Sequence, residues 1–310
     1  MKKHAFAIIA AICLSTATIT SPIIGHASSS TEAKTSVNEK LGVPIAVYGA
    51  SLNAEQKASV KQSLNVAADE DTEEITVTGE DIAKYIQDGD SRARLYSSAK
   101  ITPQDKGKGL VINIVTPDNI TEVTSDMYSN AMLTAGIEDA KVDVAAPKPV
   151  SGHSALAGIY KAYEVTTGKT LDKERTDVAN QELSVATDLA KNSDVSDDQV
   201  SQLLTEIKQA IAEQKPATKE DVEKIVDEKL STLKIELSDT DRQLLIDLMN
   251  KISNLDIDFS KWSSQLDDLS TTLQDKLGSI KNDIDSDSGF WASVKNFFKD
   301  LIDSIKGWFN

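Results

Sequence analysis

The sequence predicts an α+β N-terminal domain, in which short strands alternate with helices, followed by an all-α and partly coiled-coil-like C-terminal region. Three observations carry this reading. Strand-like and helix-like runs take turns from about residue 38 to 190. Past Asp197 the strand signals stop, and apolar residues recur at steps of three and four. Beyond Ser28, every Trp and Phe lies at or after Phe259.

Taken in order, Lys2 and Lys3 precede an apolar run from Ala5 to Ile19, and Gly25-His26-Ala27 supplies small residues at −3 and −1. This is the pattern of a signal peptide over 1–27, cleaved after Ala27, and it places the protein outside the cytoplasm, secreted or on the outer face of the cell envelope. Cys13 lies inside that run behind Ile12, where a lipid anchor needs a small residue, so lipidation is not expected. Residues 28–37 are rich in Ser and Thr and read as a disordered linker.

Within 38–190, Pro44 to Tyr48 reads as a strand, and Asn53 with Gln56 as a capping box opening a helix to about Leu64. A strand at Ile75 to Val77 follows, then a helix capped by Thr78 and Asp81 and running to about Gln87. Leu110 to Val115 has the continuous apolar character of a largely buried strand. Thr124 starts a helix that stops before Gly136, the expected left-handed cap. Lys141 to Ala146 is one more strand, and about Ser154 to Thr167 one more helix, closed by Gly168.

In the helical region, 196–288, Val200, Leu203, Leu204, Ile207 and Ile211 form a stripe ended by Pro216. Thr218 with Asp221, and Ser238 with Asp241, open the next helices. From Leu245 to Leu273 a three-four alternation holds through Phe259 and Trp262. It fits either a hairpin folded on itself or a coiled coil between copies, so a homo-oligomer through this region is one expectation. Residues 289–310 form an amphipathic helix whose stripe includes Phe290, Trp291, Phe297, Phe298, Leu301, Trp308 and Phe309. With Lys295, Lys299 and Lys306 opposite, this face suits a membrane surface or a protein partner.

Composition removes several function classes. The whole chain has 33 basic and 49 acidic residues, and losing Lys2 and Lys3 leaves 31, a mature net charge of −18. Nucleic acid is therefore not an expected partner, because no basic face neutralises phosphates. After cleavage no cysteine remains and His153 is the only histidine, so neither a thiolate nor a zinc site can be assembled; no metal or cofactor is expected.

Gly152-His153-Ser154 resembles a nucleophile elbow, but Leu156 stands where a small residue belongs. A histidine adjacent to the serine cannot serve as its base either, so a capped turn with Ser151 or Ser154 at a helix N-terminus is the preferred reading. Gly168-Lys169-Thr170 lacks the first glycine of a phosphate loop, since Tyr163 occupies that place. Asp283, Asp285 and Asp287 alternate as in a calcium loop, but Val294 stands where the closing glutamate belongs. The polar stretch that stands out is Ser91 to Ser98. There Arg92 and Arg94 beside Tyr96, Ser97 and Ser98, with Asn119 as a further candidate, have the chemistry to hold a phosphate or carboxylate, against a plain strand edge with surface ion pairs.

Several short motifs carry a resemblance: Arg94 followed by Tyr96-Ser97-Ser98; Pro117-Asp118-Asn119; Thr134 with Gly136; Pro149 to Gly152; and Lys161 to Glu164. Together they resemble the YpuA-like predicted secreted proteins of Gram-positive bacteria, domain-of-unknown-function family 1002, best over residues 42–190. The resemblance implies export and a shared α/β domain, and it transfers no catalytic residue. The functional expectation is an envelope-associated, non-enzymatic binding or scaffold module. The alternative is a secreted hydrolase built on carboxylates, or on Ser97 or Ser98 with Lys100.

Overall fold

Capping residues divide the chain much as the sequence suggests. The computed structural model describes residues 42–66, 71–86, 88–193 and 195–283, excluding the side chains of 259–261 and 275–283. The signal peptide, the 28–37 linker, the calcium-like Asp285 and Asp287 and the aromatic stripe of 289–310 lie outside the described residues. Strand β1 (Ile45–Gly49) leads to helix α1 (Ala54–Ser63), opened by the Asn53–Gln56 capping box. Strand β2 (Glu73–Val77) leads to α2 (Gly79–Tyr85), opened by the Thr78–Asp81 box. Then come β3 (Ser98–Pro103), β4 (Leu110–Ile114), α3 (Ser125–Ala135), β5 (Ala140–Ala145) and α4 (His153–Thr167). Helices α5 (Lys173–Asn192), α6 (Asp197–Gln214), α7 (Lys219–Leu233), α8 (Asp239–Ser253) and α9 (Phe259–Asp283) complete the described chain.

The strands form one mixed sheet in the order β2-β1-β3-β5-β4. β1 runs parallel to β2, β3 runs antiparallel to both β1 and β5, and β4 is parallel to β5. Alternation of side chains sorts the two faces. Ile45, Val47, Ala99, Ile101, Val142 and Val144 join the large core with α3 and α4. Ala46, Tyr48 and Ala145 meet Val60 and Leu64 of α1 in a smaller cluster on the other face.

Three expectations need correction. The central strand β3 (98–103) was not expected, because its α1-facing positions are polar, and the strand edge weighed for Ser91–Ser98 meets it only at Ser98. Lys100 is buried there, with its Nζ donating to the Asn65 carbonyl at 3.2 Å. β4, expected to be largely buried, is an edge strand, and Val111 stays 44% exposed. Neither Ser151 nor Ser154 caps α4. Gly152 does so with φ of 103°, where an added Cβ would come within 2.8 Å of the Tyr128 hydroxyl. The Leu245–Leu273 stripe, read as a hairpin folded on itself or a coiled coil between copies, spans two helices. It breaks at 254–258 between α8 and α9, and Leu245, Leu248, Ile252, Leu255, Trp262, Leu266 and Leu273 are buried within the chain.

The large core continues from Ile45 to Leu266, so the sheet layer and the later helices share one interior. Helix α5 belongs to both, and a polar cluster runs through the seam. Glu182 of α5 and Lys208 of α6 meet at 2.6 Å with side chains 1% and 0% exposed. The Thr134 hydroxyl donates to Glu182 Oε2 at 2.5 Å, and Lys208 Nζ also donates to the Asn130 carbonyl at 3.0 Å. Asn130 Nδ2 donates to Thr205 Oγ1 at 3.0 Å, and the Trp262 ring lies 5.5 Å from the ammonium. Satisfied on every side, these groups avoid the desolvation cost that an unpaired buried charge would carry.

A candidate binding cleft at the N-terminus of α4

Two short stretches singled out by sequence come together in space. Arg94 and Tyr96 line a cleft of about 480 Å³ with Ser151, His153 and Ser154, while Asn180 and Ser184 of α5 close one side. The wall holding Arg94 is fixed by close backbone approach. A Cβ on Gly49 would lie 2.3 Å from the Leu95 carbonyl oxygen, and one on Gly79 would lie 1.9 Å from that of Ser91. Ser51 and Leu95 pair twice, through the Ser51 amide to the Leu95 carbonyl and the Leu95 amide to Ser51 Oγ, each at 3.0 Å. Only glycine lets the segment lie this close to the sheet.

The opposite wall is the start of α4. Gly152 provides no side-chain acceptor, and its carbonyl accepts from the Tyr128 hydroxyl at 2.6 Å and from the Ala155 amide at 3.0 Å. Among the described residues, the amides of His153 and Ser154 have no protein acceptor. They lie at the positive end of a 15-residue helix. Arg94 is exposed and has no ion-pair partner among the described residues. Tyr96 is covered by Lys148, whose Nζ stands 3.5 Å from the ring centroid.

His153 lines the same wall. Burial pushes its pKa below the usual histidine value; Glu122 and Asp188 oppose that shift and Lys191 adds to it. Its Nε2 lies 3.2 Å from Thr187 Oγ1. That hydroxyl also lies within donating distance of the Leu183 carbonyl at 3.2 Å and the Ser184 carbonyl at 2.9 Å, which hold it in place beside the ring. Ser154, the next residue along the helix, projects about 100° away. The cleft can therefore hold and orient an anionic group, and it lacks a serine–histidine pair.

The remaining candidates lie elsewhere. Asp90 Oδ1 accepts from both the amide and the Nε of Arg92, whose side chain is 89% exposed. Ser97 and Ser98 are each 1% exposed; Ser98 Oγ accepts from the Gly49 amide at 3.3 Å, and Ser97 Oγ is buried without a partner. With the Lys100 ammonium turned to the Asn65 carbonyl, these residues serve the sheet interior. Asn119 braces the loop before α4, its Nδ2 donating to the Ala146 carbonyl at 2.8 Å. Asn180 and Ser184 were not foreseen, because Glu182 interrupts the apolar stripe that would have revealed α5.

No group of three or more potential metal-ligating side chains occurs among the described residues, and no described helix is long and apolar enough to cross a membrane. Compared with known proteins, residues 48–269 match the family described as "Protein of unknown function (DUF1002)". The chain is 37% identical over 268 residues to "Uncharacterized protein YpuA" of Bacillus subtilis (strain 168), covering 85% of this chain and 86% of that protein. No solved structure matches it.

Proposed function

This chain belongs to the DUF1002 family of proteins of unknown function, and from the chemistry of its cleft and leader we propose that it is an extracytoplasmic binding protein whose cleft at the start of α4 holds a carboxylate or phosphate group. The observation that carries the reading is Arg94. In a chain of formal charge −16 it stands without an acidic partner among the described residues, beside two unbonded amides of a helix N-terminus. Guanidinium and helix amides both favour an anion, and together they set its orientation. The Lys2–Ala27 leader supports export, and the Phe290–Phe309 stripe supports contact with a membrane surface or partner.

Isothermal titration with inorganic phosphate and with glutarate tests the cleft. Saturable binding is expected, weakened about tenfold to a hundredfold in Arg94→Gln, the loss of one charge-assisted hydrogen bond. Absence of binding by both probes, or binding indifferent to Arg94→Gln, rejects the reading. Export is checked by N-terminal sequencing of protein recovered outside the cell, which should begin at Ser28. Flotation of residues 28–310 and 28–288 with anionic and neutral liposomes tests the tail; binding that depends on 289–310 is the outcome expected of a membrane contact.

A further inference from the structure

Beyond the α5 side chains that close one side of the cleft lies a second hollow, of about 400 Å³, between α5 and α8. The two spaces adjoin, because Ile86, Asn180 and Ser184 stand in the wall of both. From Ser184 back to Asp177 the second hollow follows α5 for about two turns, or ~10 Å. A ligand anchored at Arg94 therefore has a channel along α5 into which the rest of it can extend.

The two spaces differ in chemistry. Around Arg94, the guanidinium and the amides of His153 and Ser154 are free among the described residues. In the second hollow, polar side chains are already engaged inside the chain. Asn180 Nδ2 donates to the Thr176 carbonyl at 2.7 Å, Gln181 Oε1 accepts from Lys251 at 2.6 Å, and Asp247 Oδ1 accepts from Lys219 at 2.6 Å. What this hollow offers a ligand is mainly hydrocarbon: Ile86 and Val185 on one side, Leu244 and Leu248 one turn apart on the other. Leu244 stays 46% exposed, whereas the other large apolar side chains of α8 are buried.

Resting on the cleft reading above, we propose that the ligand is an anionic amphiphile, with one carboxylate or phosphate head at Arg94 and one hydrocarbon chain laid along α5 against Val185, Leu244 and Leu248. The head fixes the direction of entry, because free donors gather at that end alone. The chain supplies affinity that a short anion lacks, since each methylene removed from water adds a similar increment. A peptide fits the second hollow less well, since its amide groups would give up water where the polar side chains are already bonded to one another.

Isothermal titration of the full chain with butanoate, octanoate and inorganic phosphate tests this, at concentrations below micelle formation. Octanoate is expected to bind about tenfold tighter than butanoate or better, and phosphate should displace it. Arg94→Gln should weaken both carboxylates. Leu244→Asp, at a position open to solvent, should bring octanoate down to the butanoate level and leave phosphate binding unchanged. Circular dichroism confirms folding, and the comparison of chain lengths needs no variant, so it stays decisive if Leu244→Asp does not fold. Should phosphate bind through Arg94 while octanoate gains nothing over butanoate, the hydrocarbon arm is rejected and the anion cleft stands. Octanoate that binds Arg94→Gln equally well, or keeps its gain in folded Leu244→Asp, is held elsewhere, and the proposal falls. If none of the three binds, the cleft reading fails with it.

Discussion

Glu182 and Lys208 face each other at 2.6 Å across α5 and α6, with neither side chain reaching solvent. Their partners Thr134 and Asn130 belong to α3, which lies directly on the sheet. The pair therefore fastens three helices at one point. Removing one member strands a charge in the interior. Glu182→Ala or Lys208→Ala is expected to cost about 3–5 kcal/mol, whereas a double replacement by methionine and leucine should recover much of that loss. Urea denaturation of the three variants decides it; equal losses in the single and double replacements would contradict the pairing.

Burial pushes the Glu206 carboxyl above its ordinary range, with Lys229 and Gln202 pulling the other way. A raised native pKa means the fold binds this proton more tightly than the unfolded chain does. The associated stability is present below the ordinary carboxylate range and is lost as pH rises through the native value. Stability of Glu206→Gln relative to the parent should consequently climb between acid and neutral pH. Denaturation at matched pH values measures this difference, and a flat or falling difference would refute it.

Gly152→Ala should destabilise by about 1–3 kcal/mol, since a side chain is strained at a φ of 103°. Its Cβ would also press on Ile120 and on the Tyr128 hydroxyl. Because the same turn shapes the cleft, phosphate affinity should fall in the folded variant. Thermal melts and titration together check both effects.

Asn53→Ala removes an acceptor for the Gln56 amide at 2.8 Å, half of an exposed capping box. A loss of about 1 kcal/mol is expected, visible as a lower melting temperature, without change at the Arg94 cleft.

Local signals were legible where local chemistry decides. The boxes at Asn53 and Thr78, and the left-handed glycines 136 and 168, set helix ends through nearest-neighbour hydrogen bonds. What stayed hidden was polarity satisfied from afar. β3 looks unlike a central strand because Lys100 finds its carbonyl 35 residues away. α5 loses its stripe to Glu182, whose cation comes from α6. The Leu245–Leu273 pattern left a hairpin and a coiled coil between copies both open, and periodicity alone does not show where it breaks. α8 and α9 each present a regular apolar face, and the turn at 254–258 preserves the phase between them. For the cleft, Arg94 and Tyr96 were readable as an unusual polar cluster, but their meeting with His153 depends on strand order, which no periodicity encodes.

The Glu182–Lys208 contact also bears on the chain while it is being made. A nascent polypeptide carries Glu182 for 26 residues before its cation has been added. Trp262, which covers the ammonium, comes later still. Throughout that interval the five strands are complete in sequence but lack part of the interior that packs against them. The interior against the sheet is thus closed by residues that follow its last strand, Lys208 and then Trp262, the latter by more than a third of the chain's numbering.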